Sequence, residues 1–195
     1  METTTLFFIR HGEPDLTVHD DQLRPLTAKG TADCELVTAF LKDKQIEVAL
    51  SSPYKRTVDT ILPFVNRAGL QVEIIEDFRE RKVDDVWIED FNAFARKQWA
   101  DFSYKLANGE CLLEVQQRNI KALEKVLTQH QGKNIVVGTH GTALSTIINY
   151  YDQSYGYEDF QLIARVFPWI VKMEFDDQTC IGIEKINLFS SEESC

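Results

Sequence analysis

Two short stretches hold residues that could do chemistry together. In the first, Arg10-His11-Gly12-Glu13 follows the apolar run Leu6-Phe7-Phe8-Ile9; in the second, Thr139-His140-Gly141-Thr142 follows Ile135-Val136-Val137-Gly138. A guanidinium offers a fixed fork of donors that matches phosphate or carboxylate, and an imidazole is the side chain suited to titrate or attack near neutral pH. Gly12 lets the backbone turn tightly, so Arg10 and His11 can face one approaching group. Together they describe an anion site with a reactive base.

The elements that must position these residues follow from the apolar pattern. A run of consecutive apolar residues that breaks at a polar pair reads as a buried parallel strand whose C-terminal end opens into a crevice. Two such strands side by side would bring His11 and His140 over the same crevice. Residues 14–25 are polar, with Asp15, Asp20 and Asp21, and read as a loop above it. Ala32, Leu36, Val37 and Phe40 then recur at helical spacing behind Thr27, a suitable N-cap. Residues 46–50 form a short strand, Ser51-Ser52-Pro53 punctuates its end, and Arg56 falls at the start of the next helix, where free N–H groups and the helix dipole favour an anion. Pro63 predicts a kink in that helix.

Residues 72–75 can form another strand, leading into a charged stretch that contains Glu76, Asp77 and Glu80. Across 82–110 the pattern weakens; Phe91, Phe94, Ala95 and Phe102 suggest an amphipathic helix, which either caps the crevice or packs on the main body. Leu113, Ile120, Leu123, Val126 and Leu127 mark a long helix ending before Gly132, placed as a C-cap glycine. A further helix is expected near 142–151. Trp169, Val171, Met173 and Phe175 alternate, Asp176-Asp177 marks a turn, and Ile181, Ile183 and Lys185 follow with the same period, the pattern of an antiparallel hairpin. Residues 190–195 are polar and read as frayed. The alternation of strands and helices predicts a three-layer α/β/α domain with a mainly parallel central sheet and an antiparallel edge, a single domain over residues 1–195.

Composition narrows the function. A chain of 195 residues can bury roughly 70% of its unfolded surface, enough for a core without staples. The net charge of −10 argues against nucleic acid and anionic membranes as partners, so any phosphate pocket is a local exception built by residues such as Arg10 and Arg56. With no run approaching the ~20 apolar residues that span a bilayer, and no basic segment ahead of an apolar stretch, a cytoplasmic location is expected. Cys34, Cys111, Cys180 and Cys195 are dispersed without a C-x-x-C pair and read as bystander thiols. His19 and His130 stand in polar stretches and read as solvated. No cluster has metal-ligand spacing, so neither a metal nor a cofactor is expected. Oligomeric state is not legible.

Arg10-His11-Gly12-Glu13, Ser51-Ser52-Pro53 with Arg56, and Thr139-His140-Gly141 resemble, in order, the motifs of the histidine phosphatase superfamily, the phosphoglycerate-mutase-like family. Leu26-Thr27 with Gly30 also suits its pattern. The resemblance implies that His11 attacks phosphorus and forms a phosphohistidine, which water then cleaves. It implies phosphate contacts from Arg10, Arg56 and His140, and Glu80 as the acid that protonates the leaving oxygen, with Arg10 and His140 part of the catalytic set. His140, if protonated, would be a further donor, joined by the Gly141 and Thr142 N–H groups. The glycine that the family often carries after its acid is absent here, and Thr17 stands where many members have an asparagine that touches phosphate. The role of Glu13 stays open between the site and a salt bridge. The implied function is a phosphomonoesterase for a small phosphorylated metabolite. The alternatives are a phosphoglycerate mutase, whose members are usually longer, and a non-catalytic phospho-ligand-binding module, which would not require a nucleophile.

Overall fold

The computed structural model describes residues 2–189; the expectation of a frayed end at 190–195 and Cys195 lie outside them. Six strands form one sheet in the order β3-β2-β4-β1-β5-β6. They are β1 (Thr4–Arg10), β2 (Val48–Ser51), β3 (Val72–Ile74), β4 (Asn134–Thr139), β5 (Trp169–Asp176) and β6 (Thr179–Ile186). The first four run parallel, with β1 beside β4 and β2 between β4 and β3. β5 pairs antiparallel with β1, and β6 antiparallel with β5, which gives the antiparallel edge. The turn between the last two strands places Asp177 at φ 53°, in the left-handed region that aspartate tolerates better than most residues.

Period-2 alternation along β1 divides the core into two layers. Phe7 and Ile9 pack with Val37, Leu41, Ile61 and Phe64 of α1 (Ala28–Leu41) and α2 (Lys55–Ala68). Leu6 and Phe8 face the other way, onto Leu123 and Leu127 of α4 (Leu112–Gln129) and Leu144 and Ile147 of α5 (Gly141–Tyr151). The architecture is a three-layer α/β/α fold. Two helices complete it: α3 (Phe91–Ala100), in the 82–110 stretch, and α6 (Tyr157–Ile163), which the sequence pattern does not announce.

Thr27 caps α1 by accepting from the Gly30 N–H at 3.0 Å. α2 runs unbroken through Pro63, so the expected kink does not end it. α4 ends at Gln129 with His130 as its C-cap; Gly132, expected as the cap, lies two residues beyond His130 at φ 76°. Among the described residues Cys34, Cys111 and Cys180 are free thiols, the first two buried, and no helix is long and apolar enough to cross a membrane.

Candidate active site

The adjacent parallel strands β1 and β4 end together, with Arg10 opposite Thr139, so His11 and His140 leave the sheet side by side. Their ring centroids are 5.4 Å apart. The β1 end is held by backbone close approach: a Cβ on Gly12 would sit 2.8 Å from the Gly30 carbonyl oxygen, and one on Gly30 only 2.4 Å from that of Glu13. The Gly12 N–H donates to Thr60 Oγ1 at 2.9 Å, tying the turn to α2. Glu13 is part of the same clasp, since its Oε1 accepts the Thr27 hydroxyl at 2.9 Å; it makes no ion pair among the described residues.

His11 is 5% exposed, and its Nδ1–H donates to the Gly12 carbonyl at 2.7 Å. A carbonyl only accepts, so this bond assigns the proton to Nδ1 and leaves the lone pair on Nε2. Burial, and after it the charges of Arg56 and Arg10, hold the imidazole well below its ordinary pKa. The ring is therefore neutral at physiological pH. Phe167 stacks on its face, with centroids 5.7 Å apart, and the same ring lies 3.9 Å from the Arg10 guanidinium carbon.

Arg10 is held from behind by main-chain oxygens at the end of α6. Its NH1 donates to the carbonyls of Ile163 and Val166 and its NH2 to that of Ala164, while Nε is buried without a partner. Burial is the main reason its pKa falls to about 10, which leaves it cationic at neutral pH. Gly141 makes room for it: a Cβ there would lie 3.1 Å from each of Arg10 Cζ, Nε and NH2. Arg56, 3% exposed, reaches in from the first turn of α2 and is engaged by the 14–25 loop. Its NH1 donates to the Asp21 carbonyl, and its NH2 lies 3.2 Å from Asp21 Oδ1, a carboxylate shared with Arg24 at 2.8 Å.

His140 is fully buried and shares a 2.7 Å hydrogen bond between Nε2 and Ser52 Oγ; its Nδ1 is buried without a partner. Burial first, then the Arg56 charge and, after it, the neighbouring His11, Arg118 and Arg10, push its pKa well below the ordinary value. The condition under which His140 would donate as an imidazolium, that it be protonated, is disfavoured here, and the ring is neutral. Glu80 arrives from the turn after β3, and its carboxylate accepts N–H groups at the start of α5, Thr142 on Oε2 and Ala143 on Oε1, each at 3.1 Å, with Arg81 N–H on Oε1 at 2.8 Å.

The structure thus brings Arg10, His11, Arg56, Glu80, His140 and Gly141 together and leaves Thr17 apart. Thr17 is exposed, and its hydroxyl and N–H both donate to Asp15 Oδ1, closing a tight turn within its own loop. The expectation that the Thr142 N–H serves phosphate also changes, because Glu80 already occupies it. Residues not expected in the site also contact its members directly or through a shared carboxylate, among them Ser52, Tyr54, Asp21, Arg24 and Phe167. His19 is exposed, yet its ring stacks on Trp87 at 4.9 Å, joining the 14–25 loop to the 82–110 stretch. Among the described residues no three His, Cys, Asp or Glu side chains group as metal ligands.

The family model described as histidine phosphatase superfamily (branch 1) matches residues 6–180. The chain is 26% identical over 180 residues to the uncharacterized phosphatase PhoE of Bacillus subtilis (strain 168), covering 90% of each chain. It is 27% identical over 162 residues to a metal-independent phosphoserine phosphatase of Arabidopsis thaliana, covering 75% of this chain and 68% of that protein. Among solved structures, Bacillus stearothermophilus YhfR superposes with a TM-score of 0.76 at 22% identity, over 91% of this chain and 94% of that one, a likeness of fold.

Proposed function

The chain belongs to the histidine phosphatase superfamily and is a histidine phosphatase enzyme; within that family we propose a phosphomonoesterase that hydrolyses a small phosphorylated metabolite through a phosphohistidine on His11. The observation that carries this reading is the Nδ1–H bond to Gly12, which leaves a neutral imidazole with its Nε2 lone pair unengaged, in the field of the buried Arg56 and Arg10 guanidiniums. Nε2 attacks phosphorus as the ester P–O bond breaks, and the leaving oxygen takes a proton from the Glu80 carboxyl. Water then attacks the phosphohistidine, Glu80 takes up its proton, and the N–P bond returns its electron pair to Nε2.

Arg10 and Arg56 balance the charge on the phosphoryl oxygens during transfer, where positioning and electrostatics supply most of the catalysis. Ser52 donating to Nε2 of neutral His140 would put the remaining ring proton on Nδ1, a buried N–H with no other acceptor, suited to a phosphoryl oxygen. Gly141 serves by its missing side chain, which leaves space for the Arg10 guanidinium. The 82–110 stretch acts as a cap on one side of the crevice.

Release of inorganic phosphate from sugar phosphates, phosphoglycerates, nucleotides and phosphoserine, measured for the wild type and for His11→Ala, tests the reading. Turnover by the wild type that His11→Ala abolishes is expected. Equal turnover by both proteins, or transfer of the phosphoryl group between positions of a phosphoglycerate without release, would refute it.

A further inference from the structure

The attacking atom of His11 must stay free of hydrogen bonds, so the imidazole has to be oriented by its other contacts. Among the described residues the ring makes one hydrogen bond, from Nδ1 to the Gly12 carbonyl, and a single bond leaves the ring plane able to tilt. Arg10 sets a similar problem. Among the described residues it makes no ion pair, its Nε has no acceptor, and the acceptors of its NH1 and NH2 are all main-chain oxygens of one segment, at Ile163, Ala164 and Val166.

Phe167 follows that segment and touches both residues. Its ring is inclined 25° to the His11 plane with centroids 5.7 Å apart, and its centroid is 3.9 Å from Arg10 Cζ. A ring face attracts a guanidinium but carries no net charge, so it holds the cation without neutralising it. The sheet register puts the ring there. Trp169, 3% exposed, pairs with Arg10 at the start of β5, and Phe167 lies two residues earlier, at the end of β1 from which His11 emerges. A cavity of about 300 Å³ borders Phe167 and Val166, with Lys29 and Phe189 on its far wall, so close packing on every side does not account for where the ring sits. Its contacts with Arg10 and His11 do.

We propose that Phe167 is a positioning residue, a single ring that fixes the His11 imidazole and the Arg10 guanidinium relative to each other for transfer of the phosphoryl group. The proposal rests on the phosphomonoesterase reading and adds to it a group that acts through two others. In-line attack tolerates little displacement: a misplacement of about 1 Å can cost about 10²-fold in rate.

Two variants test it: Phe167→Leu keeps apolar bulk but removes the flat face, and Phe167→Tyr keeps the face. For an ester that the wild type hydrolyses, kcat/KM should fall about tenfold or more in Phe167→Leu and return most of the way to the wild-type value in Phe167→Tyr. Proton NMR across pH adds a readout that needs no substrate, since the chain has only four histidines. Burial first, then Arg56 from α2, Arg10 from β1 and Arg24 from the 14–25 loop, hold His11 below its ordinary pKa, with His140 beside it from the end of β4. Uncovering one face of the imidazole admits water, so its midpoint should rise toward the ordinary value in Phe167→Leu and stay low in Phe167→Tyr. If Phe167 only fills space, Phe167→Leu keeps the wild-type kcat/KM, or lowers rate and melting temperature together with the His11 midpoint unmoved; either result overturns the proposal and leaves the phosphatase reading in place. A wild type that releases phosphate from none of the esters named above counts against the phosphatase reading and this inference alike.

Discussion

Replacing Glu80 by glutamine should damage the fold and the chemistry by separable amounts. The carboxylate accepts three backbone N–H groups: Oε1 takes those of Arg81 and Ala143, and Oε2 that of Thr142. An amide has one acceptor oxygen. Placed at the Oε1 position, it keeps two bonds without their charge assistance and turns an NH2 group toward the Thr142 N–H. One unsatisfied N–H costs about 1–3 kcal/mol, and removing a negative charge from a helix N-terminus another 0.3–1 kcal/mol or so. At about 2–4 °C per kcal/mol for a chain of this size, the melting temperature should drop by roughly 3–15 °C. Chemistry is measured separately, at a temperature where both proteins are folded, from the burst phase that reports phosphorylation of the enzyme. An alkyl phosphate, whose leaving oxygen is strongly basic, should lose roughly 10²- to 10⁴-fold, the usual contribution of general acid–base catalysis. An aryl phosphate with an acidic phenol should lose far less. Equal losses for the two esters would remove Glu80 as the acid and move attention to Asp77, Asp84 and Asp85. An unchanged melting temperature would contradict its place at the start of α5.

Two further outcomes are expected. Burial holds His11 and His140 well below their ordinary pKa, so below pH ~6.5 the unfolded chain binds protons that the folded chain does not. The stability they contribute is complete above that pH and falls by about 1.4 kcal/mol per pH unit for each as the pH drops toward their folded values. Urea unfolding at several pH values should show this slope, and His140→Gln should reduce it; a stability independent of pH between about 7 and 5.5 would contradict the burial argument. Gly141→Ala would put a methyl group 3.1 Å from three atoms of Arg10. The guanidinium must give way by a few tenths of an ångström, and kcat/KM should fall roughly tenfold, whereas unchanged kinetics would show that this space is not needed.

The sheet and the two histidines were legible because each is written locally. An apolar run followed by a break at Arg10-His11 or at His140 marks both the strand and its open end, and parallel neighbours are bound to place the two ends together. The contacts that surround them join residues far apart in the chain, and no local pattern carries those. Phe167 reaches His11 from more than 150 positions away, behind the short helix Tyr157–Ile163, whose length is too small for a clear period. Asp21 meets Arg56 from a loop that spacing shows only as polar. Thr17 occupies a suggestive position, yet Asp15, two residues earlier, captures its hydroxyl. The N–H groups at the start of α5 read as free for phosphate because sequence cannot show that Glu80 arrives there. Ser52 was visible as strand-end punctuation; only its bond to His140 reveals a chemical use.

The central claim is the covalent intermediate, and trapping it is the most direct test. Enzyme mixed rapidly with a phosphomonoester labelled on phosphorus is quenched in alkaline denaturant, which preserves phosphohistidine, and the labelled peptide is mapped. Label is expected on His11, in the isomer phosphorylated at Nε2, because Nδ1 is bonded to the Gly12 carbonyl. Label on Ser52, on a cysteine or on His140, or the Nδ1 isomer at His11, would contradict it.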